Sequence, residues 1–339
     1  MVAQSPPPIA LTMGDPAGCG PQITAAAWAA LRETISAPFA VIGPSHLYAQ
    51  YCDVRIIDDF ADLGGVFRDA LPVYDRGWPL GQIEPGKPQI DSGQFVIESI
   101  EIAVDLATTK KVSAVVTNPI NKNMLYKYGF KYPGHTEFIA ALCAPAGAQP
   151  VRPIMMLVGG GLRVALATIH LPLAKAIDAI QTPMLIDTAR IVADALKRDF
   201  GLSKPKIAFT GLNPHAGENG TLGKEEIEII NPAAKRLRAE GIDITDARSA
   251  DTVFAEALQG DYDAVIAMTH DQGLIPVKTL DFWGGVNTTL GLPIIRTSPD
   301  HGTAYEAAAN STCRPDSLIA AIELASKNAA SRAAHDCPS

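Results

Sequence analysis

The chain has 339 residues and a formal net charge of −8, and 47% of its residues are hydrophobic while 19% are charged. This composition is typical of a globular protein that is long enough for two lobes sharing a cleft. The acidic balance argues against a general nucleic-acid or anionic-membrane surface, because such surfaces depend on clustered Lys and Arg. We therefore expect no nucleic-acid partner and no membrane partner.

Cysteine usage and the start of the chain bear on location. The five cysteines form no CxxC pair and are odd in number, so they indicate neither a disulfide framework nor a cysteine metal site. The opening MVAQSPPPIALTMG lacks a basic stretch followed by a long apolar run. No apolar run reaches the ~18 residues of a membrane span. We expect a cytoplasmic protein.

Short apolar runs alternate with helical patterns along nearly the whole chain. The candidate strands are mostly continuous apolar runs, as in strands covered on both faces, at 8–13, 38–42, 113–117, 153–158, 162–168, 205–210, 263–267 and 293–296. The clearest helices are predicted at 91–110, 182–200, 223–239 and 314–331. The third has Glu225 and Glu226 in its first turn, as the helix dipole favours. This alternation predicts an α/β/α layout, and no internal repeat or linker is evident.

The first predicted strand leads into TMGDPAGCGPQI, residues 12–23, ahead of a helix. Gly14, Gly18 and Gly20 allow the backbone to approach a ligand, and free amides at the helix start can receive an anion. The segment departs from the GxGxxG fingerprint of dinucleotide-binding folds. A tight strand-to-helix turn without a ligand is the alternative interpretation.

A second polar segment, VVTNPINKNMLYKYGFKYPGHTEFIAAL, spans 115–142. Its strand ends at Thr117, and ligands in α/β folds bind beyond the carboxyl ends of strands. His135 and Thr136 are therefore candidate ligand contacts, with a helix N-cap as the alternative role for Thr136. Lys122 offers one positive charge, and its alternative interpretation is a solvated surface lysine.

Three histidines lie far apart, each in a short polar segment beside an apolar run: ATIHLP around His170, GLNPHAGENG around His215 and AMTHDQG around His270. Imidazole is the commonest protein ligand for a catalytic divalent ion, and three protein ligands leave a position open for substrate. The pattern predicts one metal site assembled from strand ends, although its spacing matches no local signature such as HExxH. Taken singly, each histidine has the alternative of a hydrogen-bonded, partly buried side chain. Asp251 and Asp271 are candidates to orient metal-bound imidazoles, or to cap helices.

The last third of the chain is dense in candidate binding groups. Lys278 follows His270 in one segment, and Asn287 lies in GGVNTTLGLP. Arg296 ends the apolar run IIRT, where a carboxylate or phosphate partner suits an arginine and a structural salt bridge is the competing interpretation.

Together these segments resemble the 4-hydroxythreonine-4-phosphate dehydrogenase family of bacterial vitamin B6 synthesis over essentially the full length. The matching motifs are MGDPAGCGP (13–21), TNPINK (117–122), PGHTEF (133–138), GLNPHAGENGTLGKEE (211–226), ADTVF (250–254), HDQGLIPVK (270–278) and VNTTLGLPIIRTSPDHGTA (286–304). More distantly, 14–22 and 301–309 resemble segments of isocitrate and isopropylmalate dehydrogenases. The resemblance implies a two-lobed α/β fold that binds NAD without the usual Rossmann fingerprint. We place the lobes at 1–135 plus 285–339 and at 136–284, with the active site in the cleft between them.

The resemblance also implies the residues of the site. The metal ligands fall on His170, His215 and His270. The substrate contacts fall on His135, Thr136, Lys278, Asn287 and Arg296, and the cofactor contacts on Gly14, Asp15, His301, Gly302 and Thr303. The family further implies a homodimer with its active site at the subunit interface, so the three histidines need not come from one chain.

The activity implied is an NAD(P)-dependent, metal-requiring oxidation of 4-phosphooxy-L-threonine at its C3 hydroxyl. Decarboxylation then yields 3-amino-2-oxopropyl phosphate, in pyridoxine 5'-phosphate biosynthesis. The sequence leaves open NAD or NADP as the cofactor and Zn, Co or Mg as the metal. It assigns no side chain to removal of the hydroxyl proton.

Several positions depart from the pattern of the family: Cys19, Gln22, 246–249, Thr269, and Asn310 after Ala309. Paralogues of the family oxidise four-carbon sugar-acid phosphates or aromatic cis-dihydrodiols, so such a substrate is the alternative within the enzyme class. A catalytically silent ligand-binding protein with the same fold is the rival from another class, although every candidate metal and anion residue is present.

Overall fold

The computed structural model describes residues 7–144 and 152–337. Its strands are β1 Ile9–Thr12, β2 Phe39–Ile42, β3 Val54–Ile56, β4 Leu71–Tyr74, β5 Ala114–Val116, β6 Ile154–Gly159, β7 Leu162–Leu166, β8 Lys206–Thr210, β9 Asp243–Arg248, β10 Ala264–Ala267, β11 Val286–Leu290 and β12 Arg296–Pro299. Its α-helices are α1 Gly20–Leu31, α2 His46–Ala49, α3 Gly93–Thr108, α4 Lys122–Tyr126, α5 His135–Cys143, α6 Leu173–Ala179, α7 Thr182–Arg198, α8 Asn231–Ala239, α9 Val253–Leu258, α10 His270–Leu280, α11 Tyr305–Ala309 and α12 Asp316–Asp336. Shorter helical turns lie at Phe60–Gly65, Ile90–Ser92 and Pro214–Gly220, and a π-helical turn lies at Glu226–Ile230. The α/β class predicted from the sequence is confirmed.

The chain forms two compact units, 1–153 with 292–330 and 154–291 with 331–339. The predicted lobe bounds, 1–135 plus 285–339 and 136–284, stay a prediction. The first unit orders its strands β3-β4-β2-β1-β5-β12, and every neighbouring pair is parallel. Parallel strands need both faces covered, and β1, β2 and β5 are accordingly buried throughout.

The second unit orders its strands β11-β6-β7-β10-β8-β9. The pairs β11/β6 and β6/β7 are antiparallel, whereas β7/β10, β10/β8 and β8/β9 are parallel. Helices α7 and α8 bury their apolar sides against this sheet, where Leu196, Phe209 and Leu237 are fully buried in one cluster. The carboxyl ends of β7, β10 and β8 therefore meet at one edge of the sheet.

The continuous apolar runs predicted the central strands correctly. The structure differs at β12, which begins at Arg296 rather than ending there. Leu292, Ile294 and Ile295 are buried but lie outside the strand, whereas Thr297 and Ser298 continue the strand in a buried position. Residues 246–248, part of the departure from the family pattern at 246–249, form the end of the edge strand β9. Strands β3, β9 and β11 carry no continuous apolar run, and β4 has a proline within its run; the sequence pattern predicted none of the four. No helix of the described residues is long and apolar enough to cross a membrane.

Candidate active site

The three predicted metal ligands follow three neighbouring strands of the second unit. His170 comes four residues after the end of β7, His215 five residues after β8 and His270 three residues after β10. Since β10 pairs in parallel with both β7 and β8, all three histidines leave the sheet at the same edge. This is the edge where ligands of parallel sheets bind.

His170 and His270 have their ring centres 5.6 Å apart. Two imidazoles that share a tetrahedral ion at a metal–nitrogen distance of ~2.1 Å have ring centres roughly 5 Å apart, so this pair fits a common divalent ion. His270 Nδ1 lies 2.8 Å from an Asp271 carboxylate oxygen, which leaves Nε2 for a ligand bond. The described residues hold no ready group of three metal-binding side chains. His215 lies instead beside Asp251, with 3.9 Å between Nδ1 and the carboxylate.

His215 begins an unusual backbone segment. Residues 215–219 all have positive φ and form a left-handed helical turn. For a residue with a side chain this conformation costs ~1–2 kcal/mol, so the surroundings must hold it. Glu226 does so: it is 2% exposed, and one carboxylate oxygen accepts from the backbone amides of Leu212 and Asn213 at 2.8 and 2.7 Å. Its other oxygen accepts from the Asn213 side chain at 3.0 Å.

This arrangement reverses the role expected for Glu226, which was placed in the first turn of a helix to complement its dipole. The carboxylate points back to the segment that precedes His215. Close packing supports the turn as well, because a Cβ at Gly217 would lie 2.6 Å from the Glu226 carboxylate. The predicted helix 223–239 consequently opens with a π-helical turn before α8.

We predict that Glu226→Gln lowers the free energy of unfolding by about 1.5–3 kcal/mol, because the amide presents an N–H₂ group to donors that now face a carboxylate. Denaturant unfolding measures this change. Glu228→Gln, an exposed position of the same helical turn, is the matched control. Equal unfolding midpoints for the two variants would show that the left-handed turn does not depend on Glu226.

The start of α10 is tied to the end of β8 within the second unit. Gln272 donates to the Gly211 carbonyl at 3.0 Å and accepts from the backbone amide of Thr269 at 3.1 Å. Thr269, one of the departures from the family pattern, is thus the N-cap residue of the helix that carries His270. Gln272 was not singled out in the sequence, although it lies within the motif HDQGLIPVK.

The two candidate substrate contacts of the second unit, Lys278 and Asn287, lie on α10 and β11. The ammonium of Lys278 lies 5.6 Å from the ring centre of Phe282, in cation–π range. Asn287 pairs with Leu157 on β6. Its side-chain oxygen is buried and has no hydrogen-bond partner in the described parts of the chain. A buried amide oxygen of this kind is suited to a ligand donor.

In the first unit, Arg296 is a buried cation. The residue is 3% exposed, and its Nη2 donates to the Thr117 hydroxyl at 2.7 Å. Burial lowers the pKa of Arg296 to about 10, against the opposing effect of the Glu137 carboxylate. The guanidinium therefore keeps its charge at neutral pH in a poorly solvated position, where an anionic ligand gains most.

His135 begins α5, whose N-cap residue is Gly134. The N-cap alternative for Thr136 is therefore wrong, since Thr136 lies inside the first turn. The Nε2 atom of His135 is buried and has no hydrogen-bond partner in residues 7–144 and 152–337. Burial, and then the charges of Arg296 and Lys122, hold the pKa of His135 well below its usual value. Its imidazole is neutral at physiological pH and can donate or accept one hydrogen bond to a ligand.

The predicted cofactor residues come together in the first unit. The Cys19 amide donates to the Thr303 carbonyl at 2.8 Å, which joins the turn 13–20 to the segment 301–303. Asp15 is 5% exposed, and one of its oxygens accepts from the Tyr305 hydroxyl at 2.5 Å. Burial raises the pKa of Asp15. Asn121 donates to the same hydroxyl at 2.9 Å, so Tyr305, which the sequence pattern did not single out, links three segments.

Gly14, His301 and Gly302 differ in what surrounds them. Gly14 has φ +70, and a Cβ there would lie 2.6 Å from the Asn118 side chain and 2.8 Å from the Pro119 carbonyl, so packing alone requires glycine. Gly302 has open space around it, and His301 is exposed with Nδ1 2.9 Å from the Gly302 carbonyl. The segment 301–302 is therefore accessible to a ligand.

The remaining departures have structural roles within their units. Gln22 donates to the Ala308 carbonyl at 2.7 Å, a bond that a Glu carboxylate could not make. In 246–249, Asp246 pairs with Arg238 at 2.8 Å and Arg248 pairs with Glu256 at 2.9 Å. Ser249 donates to the carboxylate of Asp251, which lies beside His215.

Two α/β units, each with polar groups beyond the carboxyl ends of parallel strands, define a two-unit α/β enzyme. The sequence profile of the family described as pyridoxal phosphate biosynthetic protein PdxA matches residues 35–325. The chain belongs to this family, and the resemblance inferred from its motifs is confirmed.

Relatives and solved structures agree with this assignment. A protein of Maricaulis maris named 4-hydroxythreonine-4-phosphate dehydrogenase is 49% identical over 335 residues, which cover 96% of this chain and 98% of the relative. The crystal structure of the Klebsiella pneumoniae enzyme of the same name has 38% identity and a TM-score of 0.83, covering 95% of this chain and 99% of that one. A terephthalate 1,2-cis-dihydrodiol dehydrogenase of Burkholderia xenovorans has 28% identity and a TM-score of 0.65, covering 94% and 97%. The chain is therefore similar over nearly its whole length to dehydrogenases.

Proposed function

We propose that this enzyme oxidises the C3 hydroxyl of 4-phosphooxy-L-threonine with NAD or NADP. Loss of carbon dioxide from the resulting β-keto acid then gives 3-amino-2-oxopropyl phosphate, a step towards pyridoxine 5'-phosphate. The observation that carries the proposal is the exit of His170, His215 and His270 from three adjacent parallel strands in a chain of this family. A divalent ion held by such a set of imidazoles can assist both oxidation and decarboxylation.

In the first unit, Arg296, His135 and Thr136 are the proposed substrate contacts. The buried guanidinium of Arg296 can hold one anionic end of the substrate in a fixed orientation. His135 is neutral, so it offers its buried Nε2 as a hydrogen-bond partner without adding charge. Thr136, in the first turn of α5, adds a hydroxyl and a free backbone amide.

In the second unit, His170, His215 and His270 would hold a divalent metal, with Zn, Co and Mg as the candidates. Such an ion lowers the pKa of a bound hydroxyl and stabilises negative charge that develops on oxygen. Asp271 orients the His270 ring through the 2.8 Å contact, and Asp251 lies in position to do the same for His215. Lys278 and the amide of Asn287 complete the proposed substrate contacts of this unit.

The cofactor is proposed to lie against Gly14, Asp15, His301, Gly302 and Thr303. The join between the turn 13–20 and the segment 301–303 supports this assignment. We further propose a homodimer with its active site at the subunit interface. Exposed large apolar side chains on α10 and just after it support the homodimer, since Ile275, Phe282 and Trp283 are at least half exposed. A cytoplasmic location is part of the same proposal.

Turnover of labelled substrate tests the proposal. With 4-phosphooxy-L-threonine labelled in its carboxyl carbon, a nicotinamide cofactor and an added divalent metal, we predict that labelled carbon dioxide appears in step with NADH. Both steps use the same histidines, so removal of metal by a chelator is expected to stop both together. The unphosphorylated amino acid is the matched control substrate.

Two outcomes would contradict this function. NADH formed without release of label would indicate a simple dehydrogenase. Turnover of a cis-dihydrodiol or a four-carbon sugar-acid phosphate, with none of the phosphorylated threonine, would indicate the paralogue alternative. The 28% identity to the dihydrodiol dehydrogenase, against 49% to the named relative, favours the phosphorylated substrate.

A further inference from the structure

Lys122 lies beside the beginning of α5, although it is distant from that helix in sequence. It is the first residue of α4, after the N-cap Asn121. A Cβ built on Gly134 would lie 3.3 Å from the Lys122 ammonium and 3.4 Å from its Cε. Lys122 is exposed, as expected for a surface lysine, but the end of its side chain lies beside the N-cap of α5.

The position of Lys122 places a cation near the amino end of a helix. The amino end of a helix carries a partial positive charge, which repels an ammonium group. The charges of Arg296 and Lys122 both act to lower the pKa of His135. Lys122 makes no ion pair with the described residues. Glu137 is the nearby carboxylate, with one oxygen 3.2 Å from the same Cβ position at Gly134.

One buried donor or acceptor at this position also lacks a partner. His135 Nε2 is buried and forms no hydrogen bond within the described residues, and the N-cap Gly134 has no side chain to cap the first amides of α5. Two cations, a neutral imidazole and free helix amides thus gather in one unit of a chain whose net charge is −8. A doubly charged anion would relieve the repulsion and satisfy these donors.

We propose that Lys122 is a substrate-binding residue that determines specificity for a phosphate monoester, contacting that group together with His135. The inference rests on the proposed function and deepens it, because neither the motif pattern nor the family resemblance assigned a role to this lysine. Lys122 contributes binding of the phosphate, not a step of the reaction. Its loss therefore affects the phosphorylated substrate selectively.

Steady-state kinetics of Lys122→Gln test the proposal with 4-phosphooxy-L-threonine and with the same compound lacking phosphate. We expect KM for the phosphorylated substrate to rise roughly tenfold to a hundredfold, as for loss of a charge-assisted hydrogen bond, with a smaller change in kcat and in KM for the cofactor. KM and kcat for the unphosphorylated compound should not change. Lys122→Arg should recover most of the loss, and Lys127→Gln, an exposed lysine just after α4, is the matched control.

Binding of inorganic phosphate separates failure of this inference from failure of the proposed reaction. The thermal unfolding midpoint is followed against phosphate concentration at constant ionic strength, which needs no turnover. We expect phosphate to raise the unfolding midpoint of the wild type and of Lys127→Gln. The Lys122→Gln variant should require at least about tenfold more phosphate for the same rise in midpoint. Equal responses of wild type and Lys122→Gln, including no response in either, would overturn the proposal. So would an equal kinetic loss with both substrates, since Lys122 would then contact the carboxylate.

Discussion

Replacing His270 by Ala is expected to lower kcat/KM by roughly a thousandfold, about 4 kcal/mol of transition-state stabilisation. The proposed metal site would lose one of its three imidazoles, and the ring that lies nearest to His170. Metal content after dialysis should fall in parallel. Isothermal titration with Zn²⁺ gives the same comparison without turnover.

The chain offers a matched control for this experiment. His335, on α12, resembles His270 in having a carboxylate on the next residue. Its Nδ1 lies 3.2 Å from the Asp336 carboxylate, and His270 Nδ1 lies 2.8 Å from the Asp271 carboxylate. His335→Ala should leave both activity and metal content unchanged. Full metal binding by His270→Ala would remove His270 from the ligand set, whatever happened to the rate.

Arg296→Lys should lower kcat/KM for the phosphorylated substrate by roughly tenfold to a hundredfold, about 1.4–2.7 kcal/mol. Lysine keeps the charge, but it loses the planar fork that lets one guanidinium contact both a ligand and the Thr117 hydroxyl. A buried ammonium is also more easily deprotonated than a guanidinium. Initial rates and the thermal unfolding midpoint are measured together, so that loss of fold is separated from loss of function.

Arg314→Lys provides the comparison for Arg296→Lys. Arg314 is an exposed arginine of the same unit, bonded to Asp316 at 3.1 and 3.2 Å, and exposed ion pairs contribute little. Its kinetics should match the wild type. Unchanged kcat/KM in Arg296→Lys, with the phosphorylated substrate, would remove Arg296 from the site.

The sequence pattern predicted fully buried strands more accurately than exposed or polar ones. Strands such as Ile9–Thr12, Ala114–Val116 and Ala264–Ala267 are covered on both faces, so hydrophobic residues had to occupy every position and the run was visible. The edge strand Asp243–Arg248 has one buried residue, Ile244, and its other residues are exposed or partly exposed, so the sequence resembles a loop. Strand Val286–Leu290 is buried but contains Asn287 and two threonines, which conceal it.

Helix ends were predicted where neighbouring residues carry a recognisable capping or periodicity signal. The helix Thr182–Arg198 was predicted nearly to its ends, because its amphipathic period and the proline at its start are local signals. The start of α5 was not, because the N-cap there is a glycine without a side chain that would signal a cap. Local propensity cannot distinguish a capping threonine from one that serves a ligand.

The sequence by itself determined the α/β class and the family, and it marked His170, His215 and His270 before any strand order was known. These follow from residue type and order along the chain. Only the tertiary structure decided that β10 lies between β7 and β8, and that Glu226 holds the left-handed turn of His215. It alone placed the ammonium of Lys122 over Gly134. The physical reason is that these features depend on hydrogen bonds and close contacts between residues distant in sequence, whereas periodicity and motif spacing record only local order.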